Sequence, residues 1–171
     1  VKYADAEVWD RRDNHFGQVD NDFDNLEVVD ATYVDAEGRL FLFANDHYVR
    51  YSDVSFQLDP SYSGHNSQPK VDRGYPKSIA ESWNEENLSI QLPPAFHRDL
   101  GPMFNGLDGY SYAFFEDRYV SSEDNILRPV ARMWGQSEYD FGHADHLDAA
   151  LASKGHYLLF LNDKVVKYAG S

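Results

Sequence analysis

The chain of 171 residues contains no cysteine, so no disulfide staples it and no thiolate serves as a nucleophile. Basic residues are scarce. Fifteen Lys and Arg stand against 29 Asp and Glu, a formal net charge of −14. Phosphate backbones and anionic bilayers select clustered Lys and Arg, so neither nucleic acid nor an anionic membrane surface is an expected partner. The acidic surplus suits a cation or a basic protein, and equally a plainly solvated acidic surface. No apolar run approaches the roughly 20 residues that a membrane-spanning helix requires. Also missing are Gly-x-Ser-x-Gly, His-Glu-x-x-His and a phosphate-cradling glycine loop. The many carboxylates bring some pairs together by chance, which is no glycosidase signature. The expectation is a protein that is not an enzyme.

What is present is one phrase written three times. It reads Asp30-Ala31, then Gly38, then Phe41-Leu42-Phe43-Ala44-Asn45-Asp46-His47-Tyr48-Val49-Arg50-Tyr51. It returns as Pro94-Ala95, Gly109 and Tyr112 to Val120, and again as Asp148-Ala149, Gly155 and Leu158 to Tyr168. Val1-Lys2-Tyr3 repeats its closing words. Units repeated at such a period cannot bury an apolar face alone and stack on their neighbours. Within each copy, glycine makes one turn, and a pair of amide or acidic residues ending in Asp46, Asp117 or Asp163 makes the next. The spacing predicts three-stranded meanders. The 12 Tyr and 11 Phe fit cross-strand packing.

A second phrase recurs between the meanders and, loosely, before the first. Ser78-Ile79-Ala80-Glu81-Ser82-Trp83 matches Pro129-Val130-Ala131-Arg132-Met133-Trp134, and more loosely Gln18-Val19-Asp20-Asn21-Asp22-Phe23. Its apolar-x-x-x-aromatic spacing predicts a short helix covering a sheet edge, with Trp83 and Trp134 as core anchors. Together with Asp72-Arg73-Gly74-Tyr75-Pro76-Lys77-Ser78-Ile79, these phrases resemble the hemopexin-like repeat over nearly the whole chain. In character the chain is similar to the plant seed albumin and bacterial photopexin-type members.

The resemblance implies an all-β, four-bladed propeller, a non-catalytic binding role and an extracellular setting. The chain reads as one domain, 1–171, with repeats at about 1–29 (partial), 30–93, 94–147 and 148–171 (partial). Four full blades need about one repeat more. Three explanations stand: a fragment of a longer protein, which is the expectation, a ring completed by another chain, or a distorted blade at the N-terminus.

The resemblance also implies a calcium or sodium ion in the central channel. The main-chain carbonyls of Asp30, Pro94 and Asp148 would hold it, with Thr32, Phe96 and Ala150 facing a second channel ion. Among seven histidines, His143 and His146 form the one pair at short spacing, and with Tyr62 in the polar stretch Ser52–Asp72 they are the candidates for ligand binding. Two propellers flank the haem of hemopexin itself, so haem is not expected in a chain with one propeller's material. The acidic stretch Asp20–Asn25 lacks the glycine and distal glutamate of an EF-hand. The partner, a protein or a small molecule, is not legible. The alternative role is haem or small-molecule transport or storage.

Overall fold

The computed structural model describes residues 29–52, 71–98, 100–134 and 146–170, and the structural statements below refer to these. Strands β1 (Ala31–Val34), β2 (Leu40–Ala44), β3 (His47–Tyr51) and β4 (Lys77–Ser78) form one antiparallel sheet in that order. A second follows the same plan with β5 (Met103–Asn105), β6 (Ser111–Phe115), β7 (Arg118–Ser121) and β8 (Arg128–Pro129). The third contains β9 (Ala149–Ser153), β10 (His156–Leu161) and β11 (Lys164–Ala169). The architecture is all-β, as expected. None of the three sheets closes on itself.

The turns fall where the repeated phrase places them. Gly38, Gly109 and Gly155 all have φ near +80°, a backbone that costs glycine no Cβ clash. In the third sheet Lys154 joins Gly155 at positive φ in a two-residue turn, the pattern that matches the right-handed strand twist. Asn45, Glu116 and Asn162 are left-handed at the next turn, each followed by the repeated aspartate. The Asp46 and Asp117 carbonyls then accept the N–H of Ile79 at 2.9 Å and of Val130 at 2.7 Å. Those bonds seat the short helices α1 (Ile79–Ser82) and α2 (Ala131–Trp134) on the sheets.

Each helix then delivers a tryptophan to the core, Trp83 at 1% exposure and Trp134 at 2%. Tyr33, Phe41, Phe43 and Tyr48 surround Trp83 with ring centroids 5.1–6.3 Å away. Phe104, Tyr112, Phe114, Tyr157 and Tyr168 surround Trp134 in the same way. The second sheet is buried on both faces. Met103, Ala113 and Val120 join the first cluster, while Phe104, Tyr112, Phe114 and Tyr119 join the second. The third sheet turns Tyr157 and Leu159 into that second cluster. Its other face, with Leu158 and Phe160, is half-buried, and Leu151 and Val165 are exposed.

β5 packs beside both β1 and β9. The Asn105 amide donates to the Val34 carbonyl at 2.6 Å, the Tyr33 hydroxyl meets Ser111 Oγ at 2.8 Å, and Leu107 N–H donates to the Tyr157 hydroxyl at 3.0 Å.

Trp83→Ala is expected to cost about 4 kcal/mol by opening a cavity between four rings, whereas Val165→Ala on the exposed strand changes stability by less than about 0.5 kcal/mol. Urea unfolding of the two variants checks the contrast.

Candidate functional site

One extra residue opens each sheet. Asp30 N–H donates to the Phe43 carbonyl at 2.9 Å, although the strand partner of Phe43 is Ala31. Asp148 N–H likewise reaches the Phe160 carbonyl at 3.0 Å, although Phe160 pairs with Ala149. In the second sheet Gly101 N–H donates to the Phe114 carbonyl at 2.8 Å, and Phe114 N–H returns to Pro102 at 3.0 Å. Two residues thus face one, the signature of a β-bulge, which leaves the extra residue's carbonyl outside the ladder. The equivalent positions are Asp30, Gly101 and Asp148.

The expected second member, Pro94, sits elsewhere. Pro94 starts a 3-10 turn, Pro94–His97, that precedes the second sheet. Phe96 is fully buried there against Phe115, ring centroids 5.6 Å apart. The Pro-Ala dipeptide imitates the Asp-Ala opening in composition only. Glycine spacing reveals the true one: Gly38 lies eight residues after Asp30, Gly109 eight after Gly101, and Gly155 seven after Asp148. Two positions further along, Thr32, Met103 and Ala150 are equivalent, opposite Leu42, Ala113 and Leu159. Thr32 is exposed, Ala150 half-buried and Met103 buried.

The three openings meet. Asp30, Gly101 and Asp148 all line one cleft of about 380 Å³, together with Pro102, Glu116 and His146. Asp30 and Asp148 use carboxylate oxygens to cap the turns, accepting the N–H of Asn45 at 2.6 Å and of Asn162. His146 Nε2 lies 3.5 Å from Asp148 Oδ1. Of the other sequence candidates, His143 and Tyr62 lie outside the described residues, as does Asp20–Asn25. Among the described residues no three His, Asp or Glu side chains are set to hold a metal. A hard cation in this cleft would therefore have to be held by main-chain carbonyls.

A second polar centre escaped the sequence reading altogether. Glu86, its side chain 4% exposed, accepts from the hydroxyls of Tyr48 at 2.9 Å and Tyr75 at 2.5 Å, from Lys77 Nζ at 2.8 Å, and from Arg50 Nη1 at 2.7 Å. Arg50 Nε continues to Asp72 at 2.5 Å, which also takes the Ser52 N–H and hydroxyl. Arg50 and Lys77 both lie over the Tyr75 ring. Burial alone pushes the Glu86 carboxyl up, but the bonds from Lys77, Tyr75 and Tyr48 outweigh it and hold it at about 2. Burial and the same carboxylate raise both tyrosines. The network ties β3, β4 and the turn after Trp83 together and is a structural brace. Its clue was the Asp72–Lys77 phrase, whose carboxylate partner lies nine residues beyond Lys77.

No protein-family model matches the chain, and no curated protein matches it. Solved structures do. It is similar to a plant lectin with two metal-binding sites from Cicer arietinum, at 17% identity and TM-score 0.57, covering 84% of this chain and 61% of that one. A hemopexin-fold protein from cow pea aligns at 16% identity and TM-score 0.56, over 81% and 59%. A Cicer arietinum albumin showing hemagglutination aligns at 18% and 0.58, over 81% and 59%. At these identities the likeness is one of fold, the hemopexin fold. The chain spans about three-fifths of the length of these proteins.

Glu86→Ala takes the carboxylate from Lys77 and leaves Arg50 with Asp72 alone, and is expected to cost about 3 kcal/mol. Because the folded carboxyl titrates near 2 and the ordinary value is 4.5, its contribution is complete at neutral pH and is lost as pH falls from about 4.5 towards 2. Denaturant midpoints between pH 6 and pH 2 should therefore fall more steeply for the parent chain than for Glu86→Gln.

Proposed function

We propose that the chain is a non-catalytic binding module whose three sheets are arranged as propeller blades around a hard cation held in the axial cleft. The observation that carries this reading is the convergence of one bulge from each sheet on that cleft. The carbonyls of Asp30, Gly101 and Asp148 would be the ligands, with Gly101 in the role that the repeat pattern assigned to Pro94. The Asp30, Asp148 and Glu116 carboxylates lower the local potential, and calcium, a flexible oxygen-seeking ion, suits carbonyls drawn from three separate sheets better than magnesium does. The ion would brace sheets that otherwise touch through side chains. That the chickpea lectin of like fold has two metal-binding sites agrees with this reading. The half-buried outer face of the third sheet is the place where a further blade would stack, from the same polypeptide or another. A fold shared with lectins and albumins also accommodates storage, and it does not specify a partner.

A second reading, haem or small-molecule carriage, has one observation behind it: His146 lines this same cleft. An equimolar haem titration separates the two. A Soret shift that His146→Ala abolishes supports carriage, and an unshifted band leaves the cation module.

Calcium at 100 times its dissociation constant should stabilise the folded chain by about 2.7 kcal/mol, read as a rise in melting temperature that EDTA reverses and magnesium does not reproduce. An unchanged melting temperature at millimolar calcium rejects the axial cation.

A further inference from the structure

The second sheet is tied to both of its neighbours through one short stretch at the end of β5, Asn105-Gly106-Leu107. The Asn105 amide donates to the Val34 carbonyl beside the first sheet at 2.6 Å, and Leu107 N–H donates to the Tyr157 hydroxyl of the third at 3.0 Å. The Ser111 hydroxyl donates to Asn105 Oδ1 at 2.8 Å, and its oxygen lies 2.8 Å from the Tyr33 hydroxyl. Both ends of the Asn105 side chain are therefore engaged at the seam between the sheets, although the residue is exposed to water.

Among all the asparagines of the chain, Asn105 alone is followed by glycine. The packing requires that glycine. A Cβ on Gly106 would lie 2.7 Å from the Tyr112 ring and closer still to the Asp108 carboxylate. A residue without a side chain leaves its main-chain nitrogen unobstructed for attack on the preceding asparagine. In the closed seam that nitrogen is occupied, because the Gly106 N–H donates to the Tyr110 carbonyl at 2.6 Å.

We propose that Asn105 is a site of spontaneous deamidation, gated by the seam between the first and second sheets. Once the side chain leaves Val34 and Ser111, and Gly106 leaves Tyr110, the Gly106 nitrogen loses its proton to solvent base and attacks Asn105 Cγ. The N–Cγ bond forms, the Cγ–Nδ2 bond breaks, and the side-chain nitrogen departs as ammonia with a proton from water, leaving a succinimide. Water opens that ring at either carbonyl, to aspartate or to isoaspartate. The net change is amide plus water to carboxylate plus ammonium, which needs no oxidant and no cofactor. Either product lacks the N–H donor to Val34 and sets a negative charge against that carbonyl. Isoaspartate also adds a methylene to the main chain between the bonds to the first and third sheets. The inference is independent of the axial cation and of any binding role.

The test incubates the full chain in mildly alkaline buffer, folded and in urea. Mass spectrometry of the peptide carrying residue 105 and labelling by an isoaspartate methyltransferase read the conversion. In the folded chain Asn105 should convert ahead of Asn84, Asn87 and Asn125, and at least about tenfold more slowly than in urea, since more than one hydrogen bond must open first. Ser111→Ala releases Asn105 Oδ1 and should speed conversion of the folded chain about threefold or more without changing the rate in urea. Near-UV circular dichroism verifies that this variant folds, and the comparison in the parent chain stands without it. Separated converted chain should unfold at a lower urea concentration than fresh chain. Equal rates in the folded chain and in urea overturn the inference, as does a folded chain in which Asn105 converts no faster than the other three. A folded Ser111→Ala variant with the parent rate, or a converted chain with an unchanged urea midpoint, overturns it too.

Discussion

The structure depends on one constraint: a sheet whose two faces are both apolar cannot stand alone in water. β6 illustrates it. Tyr112 and Phe114 point to one aromatic cluster while Ala113 points to the other, and all are buried. At roughly 25 cal/mol per Å² of apolar surface, leaving either face wet would cost more than such a small sheet gains from its own ladder. The sheets therefore stack face to face, in chain order, with β5 between β1 and β9.

From that stacking the remaining features follow. Strand-opening bulges that would be scattered in isolated sheets are gathered at one cleft, where Asp30, Gly101 and Asp148 stand as counterparts. The short helices after the first two sheets are held by the turn carbonyls of Asp46 and Asp117, so the same turn that ends β2 also positions the tryptophan that fills the core. The sheets are alike in backbone and different in their polar fittings. The first encloses the Glu86 network, whereas in the second the Tyr119 hydroxyl, the counterpart of Tyr48, meets the Met133 thioether. Repetition supplies the scaffold, and departures from repetition are where individual chemistry resides.

Much of this scaffold was legible from the chain. The Asp-Ala opening, the turn glycines and the turn pairs ending in aspartate located the meanders because each depends on a local backbone requirement, such as positive φ at Gly38 or Gly155. Trp83 and Trp134 were legible as core anchors through their four-residue spacing from Ile79 and Val130. The opening of the second sheet was misplaced at Pro94, because dipeptide composition was weighed above the distance to the turn glycine. Glu86 was invisible for a different reason. Its donors come from residues 48, 50, 75 and 77, and only the folded sheet makes them neighbours.

The absence of cysteine makes the stacking of the sheets directly measurable. Val29 and His146 line the shared cleft beside the first and third sheets, and both are exposed. In a Val29→Cys/His146→Cys variant, a short bismaleimide should join the two thiols within a single chain, yielding a monomer linked between residues 29 and 146 on peptide mapping. Links formed only between chains, or none at all while the variant remains folded, would mean that the first and third sheets do not meet at a common axis.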